Sequence, residues 1–229
     1  MAQQQLVIGN KNYSSWSMRP WVLMRQLDIP FEEVKLRFDF SEGSPFRRAV
    51  ARYSPAGTVP VLVMDGHAVW DTLAIVEALN DAFPSRGVWP ADPLKRARAR
   101  SLCAEMHAGF STLRSLCPMN IEASLPEVGA RLWDEYDTLR RDVRRIEQMW
   151  ADALQGSGGP MLFGEFSAVD AYYAPVVMRL KTYGLPVAAG TRAYMDRVAA
   201  LPGVRQWVAD ALAEADFLDF EEPYRTSRG

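Results

Sequence analysis

The sequence predicts two unlike units in one chain, a small mixed sheet covered by helices and then an all-helical domain. Three observations carry this. Strand and helix periodicities alternate as far as Phe83, a turn-rich stretch runs from Phe83 to Pro93, and every periodic segment beyond it has helical spacing. The implied boundaries are 1–84 for the first domain, 85–93 for a linker and 94–229 for the helical domain.

The elements follow in order. Leu6-Val7-Ile8 is a short apolar run ending at Gly9, and a polar loop then leads into Trp16 to Leu27. Apolar residues at 16, 20, 23, 24 and 27 form a helical stripe, and Pro20 requires that helix to begin close by, at Ser15 or Ser17, with a serine as cap. Asp28-Ile29-Pro30 stops it, and Phe31 to Phe38 alternates as a second strand. A less regular basic segment, Phe46 to Tyr53, comes next. Asp65-Gly66 between the runs Thr58–Met64 and His67–Trp70 is a hairpin signal. Asp71 and Thr72 offer caps for a helix over Leu73 to Phe83, giving the order β-α-β-(α)-β-β-α.

Beyond the linker, helices are expected over 94–116, 125–154, 168–183, 191–199 and 204–215. Ser167-Ala168-Val169-Asp170 starts one of them as a capping box with Asp in the Glu position. Gly109 falls inside the first of these helices, where it indicates close packing or room for a ligand.

Composition narrows the function. The chain has 229 residues, 48% hydrophobic, and 26 basic against 28 acidic groups, so it lacks the basic footprint of a nucleic-acid or anionic-membrane binder. No apolar run reaches the ~18 residues a membrane span needs. The Met1-Ala2-Gln3 start has no basic region, so no secretory signal is expected and a cytoplasmic location is. Two cysteines, Cys103 and Cys117, form no CxxC, and the histidines are His67 and His107 alone. Neither a disulfide framework nor a metal site is expected, and any thiol chemistry needs a thiol from outside.

These elements, with Val59-Pro60 before the hairpin and Asp71-Thr72 at the next helix start, resemble the cytosolic glutathione transferases over essentially the whole chain. Ser14-Ser15-Trp16-Ser17-Met18-Arg19 is most similar to the Ser-Ser-Cys-Ser-x-Arg motif of the zeta class, which includes the maleylacetoacetate isomerases, with tryptophan in place of the cysteine. The resemblance implies a thioredoxin-like first domain, an all-α second domain, glutathione as co-substrate and a homodimer. It implies glutathione contacts at Ser14, Ser15, Trp16, Arg19, Val59, Pro60, Asp71 and Thr72, with Pro60 cis. Ser14 is expected to activate the thiol, with Ser15 as cap or secondary donor. A basic residue at Arg47, Arg48 or Arg52 is left to hold the glycyl carboxylate.

Each motif also has a plain structural reading. A serine before a helix caps it, yet the same exposed N–H groups and helix dipole favour an anion such as a thiolate. Asp71 or Thr72 caps its helix, and a cap is compatible with holding the γ-glutamyl end. Val59-Pro60 alone reads as an ordinary strand edge. On the helical side His107, Ser111 and Arg114 are spaced to share one face and are the acceptor-site candidates, although a helical histidine is more often packed or solvated.

The zeta-class carboxylate-binding arginine, seven residues after a helix proline, falls on Thr182 when counted from Pro175, with Arg179 and Lys181 out of register. Transfer of the glutathione thiol to a small electrophile is therefore the first expectation. Isomerisation of a maleylacetoacetate-type diacid is the alternative, reduction of a disulfide or peroxide is also open, and a non-catalytic binding module stands as the reading from another class.

Overall fold

The computed structural model describes residues 4–228, so the expectation about the Met1-Ala2-Gln3 start lies outside it. Four strands, β1 (Gln5–Ile8), β2 (Glu32–Lys35), β3 (Val61–Met64) and β4 (His67–Val69), form one sheet in the order β2-β1-β3-β4. β2 runs parallel to β1, with Leu6 opposite Glu33, because α1 (Ser15–Gln26) carries the chain back across the sheet. β3 is antiparallel to β1, and the hairpin to β4 turns at Asp65 and Gly66, both at positive φ (48° and 79°) as a tight two-residue turn demands. α2 (Pro45–Val50) and α3 (Thr72–Ala82) complete the thioredoxin-like part.

The basic segment bracketed as a helix in the expected order is the short helix α2, capped by Ser44, whose hydroxyl accepts from the Arg47 N–H. β2 is shorter than the alternation implied. α1 begins at Ser15 with Ser14 as its cap, so Pro20 is the sixth helical residue, in the second turn rather than the first. The Trp16 carbonyl consequently has no donor four residues on.

The rest is helical: α4 (Pro93–Ala108), α5 (Ser111–Leu116), α6 (Pro126–Glu135), α7 (Asp137–Ser157), α8 (Ala168–Thr182), α9 (Ala189–Ala200) and α10 (Pro202–Glu214). Two expected long helices are each split. α4 ends at Gly109, and Phe110 takes a left-handed conformation (φ 57°) with its ring buried, so packing of that ring turns the chain before α5. α6 and α7 part at Tyr136, whose extended backbone lets Asp137 open a new first turn. One half of the expected capping box forms on α8, the Asp170 carboxylate accepting the Ser167 N–H at 3.0 Å, while the Ser167 hydroxyl has no partner.

The core is continuous across both halves. α1 packs on α3, α8 and α10, and Trp21 meets Trp207 edge to face at 5.3 Å. Val88 and Trp89 of the connecting stretch are buried in that core, and the Val88 carbonyl accepts the Ala168 N–H at 2.9 Å. Trp150, Tyr172, Tyr173 and Trp207 are core residues, and Cys103 and Cys117 are buried free thiols. Burial holds Cys103 well above the ordinary thiol range and pushes Cys117 up to about 12, so both stay protonated.

Candidate active site

The loop from β1 to α1 is built by contacts from the far end of the chain. The Lys11 ammonium binds Glu33 at 2.8 Å and Asp210 at 2.6 Å, and the Lys11 carbonyl accepts from the Trp207 indole at 3.0 Å. Asn10 donates to Asp216 at 3.0 Å, Asn12 to Asn120 at 3.1 Å, and the Tyr13 hydroxyl to Glu222 at 2.7 Å. Every side chain from 10 to 13 is therefore tied down before Ser14 is reached. Burial and Glu222 push the Tyr13 phenol up to about 12, which makes it a neutral donor rather than a base.

Ser14 and Ser15 close that loop and open α1. The Ser14 oxygen accepts the Ser17 N–H at 3.4 Å, so the cap expected at Ser15 is Ser14. The Ser14 and Ser17 hydroxyls share a 2.7 Å hydrogen bond, and the Ser17 oxygen also accepts the Gly9 N–H at 3.2 Å. Ser15, the first helical residue, accepts from Nη2 of Arg179 at 3.0 Å.

Both serines line a cleft of about 530 Å³ between the sheet-bearing part and the helices. Phe38, Phe40 and Phe46 form an aromatic wall, with ring centroids 5.2–5.6 Å apart. Val59 lines it ahead of a cis Val59-Pro60 bond, while Ser111, Arg114 and Arg179 contribute from the helical side. Glu221, in a single turn near the C-terminus (Asp219–Glu221), reaches it as well.

Three guanidiniums surround Trp16 and Ser15 with no carboxylate within ion-pair distance among the described residues. Arg19, an implied glutathione contact, is 2% exposed, stacked between Trp16 at 4.1 Å and Tyr172 at 4.7 Å, and its Nε and Nη1 have no hydrogen-bond partner. Arg114 lies 4.9 Å from the Trp16 ring and donates back to the His107 and Gly109 carbonyls. Burial lowers Arg19 and Arg179 to about 10, which leaves both charged near neutrality. A cluster of this kind lowers the pKa of an acid brought beside it.

The break at Gly109 overturns the shared helical face proposed for His107, Ser111 and Arg114. Ser111 and Arg114 line the cleft, whereas His107 points away to Asp71, with Nε2 at 3.4 Å from its carboxylate. Burial, helped by Arg19 and Arg114 and opposed by Asp71, lowers the His107 pKa. Thr72 is wholly buried and its oxygen accepts from the Tyr172 hydroxyl at 2.8 Å. Asp71 is exposed and caps α3 through the Thr72 N–H. Trp16, in contact with His107 at 5.0 Å, joins this group to the cleft.

Arg47 and Arg48 donate to carbonyls of their own loop, Phe40 and Gly43, and neither they nor Arg52 line the cleft. Thr182 donates to the Asn120 carbonyl at 2.7 Å and serves the fold. The cleft cation on α8 is instead Arg179, which the count from Pro175 leaves out of register. One helical turn before Thr182 lies on the same face, and that spacing was the available signal.

Residues 13–82 match the family model described as glutathione S-transferase, N-terminal domain, and residues 120–210 the one described as glutathione S-transferase, C-terminal domain. A probable maleylacetoacetate isomerase of Caenorhabditis elegans is 29% identical over 118 residues, 51% of this chain and 53% of that protein, so the match spans about half of that relative. The maleylacetoacetate isomerase of Pseudomonas aeruginosa is 27% identical over 203 residues, 86% of this chain and 91% of its own. A Burkholderia glutathione transferase homolog, solved with bound glutathione, superposes with a TM-score of 0.69 at 21% identity, covering 92% of this chain and 99% of its own.

Proposed function

The chain belongs to the glutathione S-transferase family, and from that membership we propose that it is an enzyme that binds glutathione in the cleft and directs its thiolate at a small electrophile. The observation that carries this is the pair of serine hydroxyls at the start of one helix, both facing the same cleft. The residues fit such a substrate. Ser15 accepts from Arg179, which leaves its own proton to donate, while Ser14 donates to Ser17 in their pair and serves the sulfur by turning that proton toward the cleft. Both hydroxyls, the α1 dipole and the nearby guanidiniums favour the ionised thiol, whose proton leaves to solvent.

The sulfur then forms a bond to the electrophilic carbon, and the leaving group departs with its electron pair. Orientation and a preorganised positive site supply the rate, and no covalent bond to the protein is required. Val59, in the bend just before β3, offers its backbone to the peptide, and the exposed Asp71 carboxylate offers a partner for the α-ammonium. A homodimer in a reducing cytoplasm belongs to the same reading, which the two free buried thiols suit.

A second reading, glutathione-dependent cis-trans isomerisation of a maleylacetoacetate-type diacid, is favoured by Arg114 and Arg179 in the cleft and by the similarity to the nematode and Pseudomonas maleylacetoacetate isomerases. Calorimetric titration with glutathione, followed on the same sample by an electrophile panel and a direct isomerase assay, separates the two. Heat without turnover of the diacid leaves transfer, and no heat at millimolar glutathione overturns both.

A further inference from the structure

We propose that Arg179 is a positioning residue for thiol activation, holding the Ser15 hydroxyl so that its proton faces the cleft and adding buried positive charge where the thiolate forms. This rests on the glutathione reading above. Arg179 is 6% exposed and sits in the last turn of α8, and its side chain crosses to the start of α1. Nη1 is anchored on the Cys117 carbonyl, at 2.5 Å, and on the Arg114 carbonyl, at 3.4 Å. Nη2 is left for Ser15, at 3.0 Å.

A serine oxygen that accepts from a fixed guanidinium has one lone pair committed on that side, so its proton turns elsewhere, and the cleft is the open direction. The anchors are neutral carbonyls and cancel none of the charge. The charged or titratable groups facing Arg179 are Arg19 from α1, Arg114 from α5, Cys117 after α5, Tyr183 beyond α8, and Glu221 from the C-terminal turn. Glu221 is the one carboxylate in this set. Burial raises its pKa, and no ion pair joins it to Arg179 among the described residues. The field at Ser15 is therefore net positive, which stabilises a thiolate more than a thiol.

The test is the ultraviolet absorbance of the glutathione thiolate in the complex, titrated against pH, with affinity followed by calorimetry. Wild type is compared with Arg179→Gln, Arg179→Lys, Ser15→Ala and the Ser15→Ala/Arg179→Lys double variant. In Arg179→Gln the thiol pKa is expected to rise by about 1 to 3, as loss of a neighbouring opposite charge implies. Turnover of an uncharged electrophile is expected to fall below that pKa and recover above it.

Arg179→Lys keeps the buried charge but cannot span Ser15 and the Cys117 carbonyl together, so in the Ser15→Ala background it is expected to add no further shift. An unchanged thiol pKa in Arg179→Gln overturns the proposal, as does a loss confined to carboxylate-bearing electrophiles. Should Arg179→Gln not fold, additive shifts in the double variant overturn it. Absence of glutathione heat in the wild type overturns the parent reading and this one with it.

Discussion

Glu214, the last residue of α10, accepts the backbone N–H of Lys11 at 2.8 Å across 203 residues of sequence, and that of Asn12 at 3.5 Å. The same carboxylate binds the Lys35 ammonium at 3.1 Å, and its side chain is only 4% exposed. The loop that presents Ser14 is therefore shaped by the C-terminal end of the helical part. Glu214→Ala strands two backbone donors, so a loss of about 1–3 kcal/mol is expected in urea unfolding. Turnover should fall along with it while the pH optimum stays in place, because the loop loosens without any change in the groups beside the thiol.

Ser14→Ala is expected to keep glutathione affinity within a few-fold and to lower turnover by about 10²-fold, the usual scale for one donor aimed at developing negative charge. Steady-state kinetics and calorimetry on one preparation decide it. Full turnover in Ser14→Ala with an inactive Ser15→Ala reverses the roles of the two serines, and full turnover in both ends the serine mechanism.

The pH dependence of stability should carry a signature of Asp170. Its carboxyl accepts from the Leu162 N–H at 3.1 Å, the Ser167 N–H at 3.0 Å and the Tyr194 hydroxyl at 2.9 Å, yet burial pushes it up from 3.8 to about 6. The folded state then binds a proton that the unfolded state has released, so between pH 3.8 and about 6 stability falls as pH rises. Urea unfolding of wild type against Asp170→Asn across that window should show this slope in the wild type alone. A flat difference would mean that the three donors outweigh burial.

Gly129→Ala tests how closely α6 meets the end of α8. A Cβ at this position would lie 1.7 Å from the Tyr183 carbonyl oxygen, and both partners are backbone, so a helix has to move. A loss of about 1–3 kcal/mol, or roughly 2–10 °C in Tm, is expected from thermal unfolding. An unchanged Tm would show that α6 shifts freely.

Local chemistry was the legible part. The Asp65-Gly66 hairpin and the Asp170 carboxylate on the Ser167 N–H each depend on a few neighbouring residues in a standard geometry, and both are present. The division of one long segment into α4 and α5 was not legible, because the turn depends on where the Phe110 ring is buried. Nor was the direction of His107: a helical wheel continued through Gly109 puts it with Ser111, and the break sends it to Asp71.

By itself the sequence determined the alternation of strands and helices, the capped starts of α1, α3 and α8, the absence of a dithiol motif, and a serine pair at a helix N-terminus. Those properties follow from backbone preference and from apolar spacing within a dozen residues. Only the tertiary structure decided what surrounds the serines. Arg179 lies 164 residues from Ser15, and Glu214 lies 203 from Lys11. Such pairings have no periodicity to betray them. They arise because α1 is wedged between the sheet and the helices α8 and α10, where any polar group that the packing buries must find its partner on whichever element lies alongside.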